Sequence, residues 1–367
     1  MQRSGRLEVA RPDHPASNAE QLIRSGHFRE ALAEIDELLA TNPESTRFLR
    51  VKAEALMDLR RFGDAVEAIG RACALQPANR HYRRMHAIAL KDAGRDAEAL
   101  PILEILDQED DADVGVLSAL CVASFRTGRE ADALRYGQRK LDILVQAAPA
   151  AEGHGIVEGQ GERDVVSFSL WGDKRQYCEG ALINARQVPE LLPGWSARFY
   201  VDESVPESVI AQLRSLGAEV RTEQMDDVPR LMRRFLVHDD PAVRHYLVRD
   251  TDSRIGAREI AAVNDWIASG TRFHAMRDHP FHTELMMGGM WGGTAGRGLS
   301  MRDLIAAADD HRYGADQDFL GTHLWPRIRE DLLTHDSYYS TPGSRPFPDG
   351  SRGTDRDHVG MGIVLRG

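Results

Sequence analysis

Two aspartates that stand one residue apart have the chemical type and the spacing to bind a metal ion. Asp250 and Asp252 follow residues 245–248, whose aromatic and branched side chains are typical of a short strand. Open α/β sheets bind ligands at the carboxyl ends of their strands. Two carboxylates on such a loop can converge on Mg²⁺ or Mn²⁺, which usually keeps waters and bridges to substrate phosphates. The spacing predicts a cation site, and the alternative is an exposed acidic turn.

Two arginines flank this pair of carboxylates. Arg249 precedes Asp250, and Arg254 follows Asp252 after one intervening residue. A guanidinium can hold phosphate oxygens with two parallel hydrogen bonds, so both arginines are candidates for binding a diphosphate. The alternative is that they only neutralise the two aspartates, and the sequence leaves both interpretations open.

The stretch 274–282 is unusually dense in ionisable side chains. One interpretation places Asp278 beside an acceptor hydroxyl as a general base. A second makes a zinc site from His274, His279 and His282 together with Asp278. The third is a hydrogen-bonded loop that braces the sheet and has no chemistry of its own.

Glycines and aspartates elsewhere add further candidates. The glycine-rich run 288–293 would let backbone amides approach a donor sugar, or else is a flexible loop. Asp316 and Asp318 begin a predicted helix, where the helix dipole alone favours carboxylates. Asp202 closes a predicted strand and is a candidate for binding a nucleoside.

The composition indicates a globular protein without a general attraction to nucleic acid. The 367 residues include 46 basic and 57 acidic side chains, and the formal net charge is -11. Such a charge gives no global attraction to nucleic acid or to an anionic membrane. Three scattered cysteines without metal spacing favour a reducing compartment. No segment has the pattern of a secretory signal or a transmembrane helix, so we predict a cytoplasmic protein.

Residues 15–147 contain a repeat in which similar side chains recur every 34 residues. The fixed columns are Ala31, Ala65, Ala99 and Ala133; Gly26, Arg60, Gly94 and Gly128; and Ala19, Ala53, Ala87 and Cys121. This pattern resembles the tetratricopeptide repeat (TPR), a helix–turn–helix unit whose copies stack into a solenoid. We therefore predict an α-solenoid that binds a protein or peptide on its concave face. A disordered segment, 1–14, is predicted to precede it.

The rest of the chain alternates strand-like and helix-like segments. The first three segments that read as strands are 165–170, 196–201 and 218–221. Because helix-like segments separate them, we predict a doubly wound α/β domain with a mostly parallel sheet. We place this domain at 164–340, after a linker at 148–163 and before an irregular C-terminal tail at 341–367. Further helices are predicted at 231–237 and 316–329.

Five short motifs occur in the order typical of one enzyme superfamily. They are Trp-Gly-Asp at 171–173, Arg-Phe-Tyr-Val-Asp at 198–202, Arg-Arg-Phe-Leu at 233–236, Val-Arg-Asp-Thr-Asp-Ser-Arg at 248–254 and Tyr-Gly-Ala-Asp-Gln-Asp-Phe-Leu at 313–320. Together they resemble bacterial TPR-linked glycosyltransferases of the GT-A type, in the nucleotide-diphospho-sugar transferase superfamily. The resemblance covers roughly 164–339 and implies a Rossmann-like α/β fold that takes a nucleotide-sugar donor.

The same resemblance implies roles for individual residues. Asp250 and Asp252 would coordinate Mn²⁺ or Mg²⁺ on the donor diphosphate, and His335 would complete the metal shell. Arg234 would contact the nucleotide or the donor sugar, and Asp316 would lie on the acceptor side. The remaining candidates for donor binding are Trp171, Asp202, Arg249 and Arg254.

The function that these observations predict is a metal-dependent transfer of a sugar from a nucleotide-diphosphate donor to an acceptor. An inverting enzyme needs a carboxylate base, for which Asp278 and Asp316 are the candidates, whereas a retaining enzyme does not. The repeats would bind the acceptor protein or an assembly partner. The alternatives are a non-catalytic TPR scaffold with a degenerate transferase-like domain, and a zinc hydrolase.

Overall fold

The computed structural model describes five stretches of the chain. They are residues 16–149, 157–159, 161–223, 225–308 and 315–362. The chain forms two compact units, Met1–Tyr136 and Gly137–Gly367. Residues with predictions that lie outside the described residues are the segment 1–14, residue 15 of the repeat region, residues 150–156 and 160 of the linker, residues 224 and 309–314 of the α/β domain, and residues 363–367 of the tail.

Eight helices follow one another in the described residues 16–149. They are α1 (Ala16–Arg24), α2 (Phe28–Thr41), α3 (Thr46–Asp58), α4 (Phe62–Leu75), α5 (Arg80–Asp92), α6 (Asp96–Glu109), α7 (Val114–Arg126) and α8 (Glu130–Ala147). The bounds of α8 cross the division between the two units. This succession confirms the helical repeat region that the 34-residue period predicts.

Local sequence explains where the helices of each pair begin and turn. The side chains of Ser45, Asn79 and Asp113 accept hydrogen bonds from backbone N–H groups in the first turns of α3, α5 and α7. The two helices of each pair are joined at a residue with positive φ. In the second repeat this residue is Arg60, with a φ of 58°. The other three turns use glycine, which adopts this conformation without strain. They are Gly26, Gly94 and Gly128.

The small-residue columns of the repeat form the core of the first unit. The alanines of both columns have no exposed surface, and Cys121 is also buried. Small side chains at these positions let neighbouring helices pack closely, so each repeat buries its apolar face against the next.

An eight-stranded sheet is the centre of the second unit. Its strands are β2 (Arg163–Leu170), β3 (Trp195–Val201), β4 (Glu219–Arg221), β5 (Val243–Arg249), β6 (Phe273–Arg277), β7 (Met290–Thr294), β9 (Leu332–Asp336) and β10 (Ser344–Arg345). Their order across the sheet is β10-β9-β6-β7-β5-β2-β3-β4. All neighbouring pairs are parallel except those of β7, which runs antiparallel to both β5 and β6. Two short strands, β1 (Val157–Glu158) and β8 (Gly296–Arg297), pair separately.

Helices connect these strands and cover the sheet. They are α9 (Arg175–Leu191), α10 (Glu207–Ser215), a 3₁₀ helix (Arg230–Asp239), α11 (Ala257–Ser269), α12 (Met301–Ala308), α13 (Ala315–Phe319) and α14 (Trp325–Ile328). Apolar residues of α9, α10 and α11 pack against the strands in one buried cluster, in which the rings of Phe168 and Phe199 stack at 4.8 Å. This mixed α/β unit agrees with the predicted fold class.

The chain reverses its direction across the sheet at β2. From β2 it runs outward through α9 to β3 and through α10 to β4, and it then returns to place β5 on the other side of β2. Such a reversal leaves a crevice at the carboxyl ends of β2 and β5. Because β7 runs antiparallel beside β5, the loop that precedes β7 reaches the same edge.

Two predicted helices have a different form in the structure. The segment predicted as a helix at 231–237 is the 3₁₀ helix, because serines of β2 bond the backbone of Arg234 and replace part of the α pattern. The predicted helix 316–329 is interrupted by a π turn (Leu320–Leu324) between α13 and α14. Pro326 lacks the N–H that would continue the α pattern and its ring crowds the preceding turn, which accounts for the interruption.

The described part of the predicted tail packs against the sheet. Strand β10 adds to the sheet edge, parallel to β9. Phe347 and Val359 are buried in a cluster with Met276 and Met290. Between these points the backbone is irregular, so the segment covers the sheet through side-chain burial and individual hydrogen bonds.

Candidate functional site

A cavity of about 350 Å³ lies at the carboxyl ends of β2 and β5. Five of the residues that the sequence singled out line it: Trp171, Arg234, Asp250, Asp252 and Asp316. The cavity therefore lies at the point where the sheet reverses direction, which is where open α/β sheets bind ligands.

The remaining lining comes from eight separate segments of the chain. It consists of Ser169, Leu170, Tyr177, Leu231, Thr251, His282, Met287, Gly288, Gly289, Met290, Gln317 and Gly360. Sequence reasoning did not assign Tyr177 or Gly360 to a site, and it considered His282 only as a zinc ligand. No local pattern identifies these three residues, because distant parts of the chain bring them together.

Arg234 is fixed in the cavity wall by two serines of β2. Ser169 and Ser167 stand two residues apart on one face of the strand. The Arg234 N–H donates to Ser169 Oγ at 2.9 Å, and Ser167 Oγ donates to the Arg234 carbonyl at 2.7 Å. These bonds hold the 3₁₀ helix against the strand and set the point from which the arginine side chain leaves.

The guanidinium of Arg234 joins two carboxylates that come from distant parts of the chain. It donates to Asp250 through Nη1, and its Nη2 lies 3.2 Å from Asp316 Oδ2. Nη1 also donates to the Arg249 carbonyl at 3.1 Å. Only 2% of the Arg234 side chain is exposed, so this charge lies in a largely dehydrated environment. The three side chains form a buried positive centre between two negative groups.

The carboxyl groups of the cavity lack enough positive charge to balance them. Burial raises the pKa of Asp252 above its usual value, and the negative charge of Asp250 raises it further. Burial also raises the pKa of Asp316. The positive charge of Arg234 lowers this pKa, and the negative charge of Asp250 raises it. A cation placed among these groups would favour their ionised forms.

Asp250 and Asp252 have the chemistry to hold a divalent cation that is shared with a ligand. The Asp250 side chain is 43% exposed, and Asp252 Oδ2 accepts a hydrogen bond from Gln176 Nε2 at 3.1 Å. In the described part of the chain, no group of three or more His, Cys, Asp or Glu side chains is arranged to hold a metal ion. One or two carboxylates are what Mg²⁺ ordinarily takes when waters and substrate phosphates complete its shell.

Two glycines bring the backbone directly against these carboxylates. A Cβ added at Gly288 would overlap Asp316 Oδ2, and one added at Gly289 would overlap Asp250 Oδ2. The loop before β7 can therefore approach the carboxylates this closely because neither position has a side chain.

The close approach at Gly289 gives a first prediction. Gly289→Ala is expected to weaken the binding of a ligand in this cavity by at least about tenfold, because the added methyl group displaces the Asp250 carboxylate. Isothermal titration of the wild-type and variant proteins with one cavity ligand measures this effect. The matched control is Gly321→Ala, since a Cβ there meets nothing within 4 Å. Equal affinities in Gly289→Ala and the wild type would contradict a role for the Asp250 position.

Neither of the flanking arginines lines the cavity. Arg249 is buried, with Nε 2.5 Å from Glu259 Oε1 and Nη1 donating to the Trp291 carbonyl at 3.0 Å. Arg254 Nη1 donates to the carbonyls of Thr251 and Ser253. Both guanidinium groups bond to groups of the local fold, which does not support the prediction that they bind phosphate.

Asp202 also lies outside the cavity lining. Its Oδ1 accepts hydrogen bonds from the backbone and the hydroxyl of Ser204, and its Oδ2 pairs with Arg230 Nε at 2.6 Å. Ser204 Oγ in turn accepts the N–H of Gly172 at 2.7 Å, beside Trp171. Asp202 therefore shapes the loops at the strand ends, which does not support its assignment as a nucleoside ligand.

Asp278 has no exposed surface and does not line the cavity. Its Oδ2 accepts hydrogen bonds from Arg258 Nη1 at 2.9 Å and the Val359 N–H at 3.0 Å. Its Oδ1 accepts the Gly353 N–H at 2.9 Å and a hydroxyl hydrogen bond from Ser337. With these four donors the carboxylate anchors the C-terminal segment, which does not support its prediction as a catalytic base.

His335 belongs to a buried network in β9 and β6. Its Nε2 lies 2.9 Å from Asp265 Oδ2, and its Nδ1 lies 2.8 Å from His274 Nε2. The His274 ring stacks on Trp266 at 5.4 Å. Strands β6 and β7 separate β9 from β5 in the sheet, and His335 does not line the cavity. This position does not support the metal-ligand prediction.

The zinc interpretation is not supported either. His274 pairs with His335, whereas the rings of His279 and His282 lie 5.7 Å apart in the loop after β6. All four proposed ligands are described, and no metal-binding group is found among the described residues. The loop is instead held by hydrogen bonds, such as the one from His279 Nε2 to Asp355 Oδ1 at 2.7 Å.

Comparisons with known proteins identify the repeats. A family model described as "Tetratricopeptide repeat" matches residues 18–80 and 50–114. No curated protein sequence matches the chain. A solved structure of MamA from Desulfovibrio magneticus RS-1 is similar, with 20% identity over 36% of this chain and 76% of that chain and a TM-score of 0.34. A mutant of the Thermobaculum terrenum O-GlcNAc transferase has 17% identity over 58% of this chain and 41% of that chain, with a TM-score of 0.41.

No helix in the described part of the chain is both long enough and apolar enough to cross a bilayer.

Proposed function

We propose that the second unit is a cation-dependent glycosyltransferase that takes a nucleotide-diphosphate sugar as its donor. The observation that carries this proposal is the convergence of Asp250, Asp252, Asp316 and the buried Arg234 in one cavity at the reversal point of the sheet. The motif resemblance to the GT-A type supports the same class. The structure adds a physical reason, because three carboxylates and one arginine suit a ligand that carries both phosphate and hydroxyl groups.

Asp250 and Asp252 would hold the cation, with the donor diphosphate and waters as its other ligands. A divalent cation bound there neutralises charge on the departing diphosphate. The half-exposed Asp250 and the Gln176-bound Asp252 face this position from the loop after β5. Arg234 orients Asp250, so it fixes the distance between the cation site and the acceptor side.

Asp316 is the carboxylate that we assign to the acceptor. It is the one of the two predicted bases that lines the cavity, and its raised pKa makes it a better proton acceptor than an exposed aspartate. In an inverting reaction it would take the proton of the acceptor hydroxyl while the new glycosidic C–O bond forms. The bond between the sugar and the diphosphate breaks, and the leaving group keeps the electron pair.

The aromatic residues of the cavity suit the nucleotide. Trp171 follows β2 directly, and the partly exposed Tyr177 lies in the first turns of α9. Flat rings at the mouth of a polar cavity bind bases by stacking, which tolerates different bases. We therefore propose that these two rings contact the nucleoside.

The repeats of the first unit would select a protein partner or acceptor. TPR solenoids present an extended surface of stacked helices that is suited to binding peptides and proteins. We propose that the concave face of this array binds the acceptor-bearing protein.

A thermal-shift series with UDP-, GDP-, ADP- and CMP-sugars, with and without Mn²⁺, tests the proposed function. A ligand at about a hundredfold excess over its Kd stabilises the protein by about 2.7 kcal/mol. Tryptophan fluorescence reports the second unit alone, because all five tryptophans lie in it. A shift that needs both Mn²⁺ and one nucleotide supports the proposal. The absence of any shift would contradict it and favour a TPR scaffold with a degenerate second unit.

A further inference from the structure

We infer that His282 is a ligand-binding residue of this cavity, where its neutral imidazole donates Nε2–H to an oxygen of the bound donor. This inference rests on the proposed function and adds a recognition element to the same site. His282 lies in the loop after β6 and lines the cavity, and only 8% of the residue is exposed. It belongs to none of the five motifs that carry the GT-A resemblance.

The hydrogen bonding of the ring determines which nitrogen carries the proton. The backbone N–H of Asp278 donates to His282 Nδ1 at 3.0 Å. Nδ1 must therefore present a lone pair, and a neutral ring then carries its hydrogen on Nε2. Asp278 is itself held by four donors, so this orientation is built on a rigid support.

The surroundings of the ring keep it neutral. Burial lowers the pKa of His282 well below its usual value, and the nearby His358, His279 and Arg277 lower it further. The His279 and His358 rings lie 5.7 and 5.2 Å away. A second proton on Nδ1 would also point at the Asp278 N–H and break that hydrogen bond. The ring is therefore a donor at Nε2 and not a proton-transfer group near neutral pH.

The Nε2–H has no partner of its own in the described part of the protein. The structure gives His282 one hydrogen bond, at Nδ1, and the ring borders the cavity. With Nδ1 engaged, Nε2–H is the ring donor that remains for a ligand acceptor. Because the cavity is also lined by three carboxylates, which are acceptors, a donor such as His282 is suited to the hydroxyl or phosphate oxygens of a nucleotide-sugar.

Two substitutions separate this role from a structural one. Asn in place of His282 keeps an oxygen near the Nδ1 position for the Asp278 N–H but provides no group at Nε2. Gln places an amide near the Nε2 position. We expect His282→Asn to weaken donor binding about tenfold and His282→Gln to recover most of that loss, as one hydrogen bond predicts. The control is His27→Asn at an exposed site of the repeats.

Isothermal titration with the nucleotide-sugar and with the matching nucleoside diphosphate distinguishes the acceptor. A loss for both ligands in His282→Asn assigns the contact to a phosphate oxygen, and a loss for the sugar-bearing ligand alone assigns it to a sugar hydroxyl. Equal affinities in His282→Asn and the wild type would overturn the inference while leaving the proposed function intact. If the wild type binds no nucleotide-sugar, both are overturned.

The tautomer is tested on the free protein. Nitrogen-15 NMR of the imidazole is expected to show an unprotonated Nδ1 and a protonated Nε2 at neutral pH. A spectrum with the hydrogen on Nδ1, or with a charged ring, would contradict the inference whatever the ligand.

Discussion

Replacing Asp278 with alanine is expected to lower the unfolding free energy of the second unit by about 3–5 kcal/mol. The carboxylate has no exposed surface and accepts four hydrogen bonds, two of them from the backbone of the C-terminal segment. Its removal leaves the Arg258 guanidinium without its 2.9 Å partner and leaves the Gly353 and Val359 N–H groups unsatisfied. Because Gly360 lines the cavity, release of this segment is also expected to weaken ligand binding.

Denaturant unfolding followed by tryptophan fluorescence measures this loss in the second unit alone. The matched control is Asp349→Ala, which removes a second carboxylate that lies 3.5 Å from the same arginine but is 39% exposed. A partly exposed pair of this kind contributes about 0–1 kcal/mol. If Asp278→Ala and Asp349→Ala have the same small effect, Asp278 does not anchor the segment.

Replacing Arg234 with methionine is expected to have a comparable effect, about 3–5 kcal/mol at neutral pH. The substitution keeps much of the side-chain volume but removes the only guanidinium that contacts both Asp250 and Asp316 in the described cavity lining. Two carboxylates then face each other across a largely dehydrated space. We also expect loss of nucleotide binding, because Asp250 is no longer oriented.

The pH dependence of this substitution has a definite sign. Arg234 opposes the rise in the pKa of Asp316, so this pKa rises further above its unfolded value when the arginine is absent. A raised folded-state pKa gives stability that is present below the unfolded pKa and is lost as the pH rises through the folded pKa. The stability difference between Arg234→Met and the wild type is therefore expected to be small near about pH 4 and to grow toward about pH 7.

Arg230→Met is the control for this measurement. Arg230 lies on the same 3₁₀ helix and pairs with Asp202 at 2.6 Å, but half of its side chain is exposed. A difference that does not change with pH, or that is as large in Arg230→Met, would contradict the assigned role of Arg234.

The repeat region was predictable because its period is a property of the sequence itself. Small side chains that recur every 34 residues can be recognised without knowledge of distant contacts. The helix caps Ser45, Asn79 and Asp113 follow the same period and provide a signal that the sequence interpretation did not use. Residue type alone does not predict every turn, because Arg60 adopts the positive φ that glycine takes in the other repeats.

The candidate site was predictable in part. Asp250 and Asp252 were found because a strand and its polar end are adjacent in sequence, and the resemblance supplied Arg234 and Asp316. The roles predicted for Asp278 and His335 depended on contacts with distant segments. The partners of Asp278 include residues 353 and 359, and His335 lies in a strand inserted beside β6. Sequence pattern gives neither the pairing of distant strands nor the packing of an irregular segment.

We propose that Asp250 and Asp252 bind a divalent cation together with a nucleoside diphosphate. The most direct test is isothermal titration of UDP, GDP, ADP and CDP into the wild-type protein, Asp252→Asn and the exposed control Glu190→Gln, each with and without Mn²⁺. We predict that Mn²⁺ strengthens the binding of one nucleotide by at least about tenfold in the wild type and in Glu190→Gln. The nucleotide is expected to strengthen Mn²⁺ binding by the same factor. Asp252→Asn is expected to abolish this coupling. Nucleotide affinities that do not depend on Mn²⁺ in the wild type, or coupling that persists in Asp252→Asn, would contradict the claim.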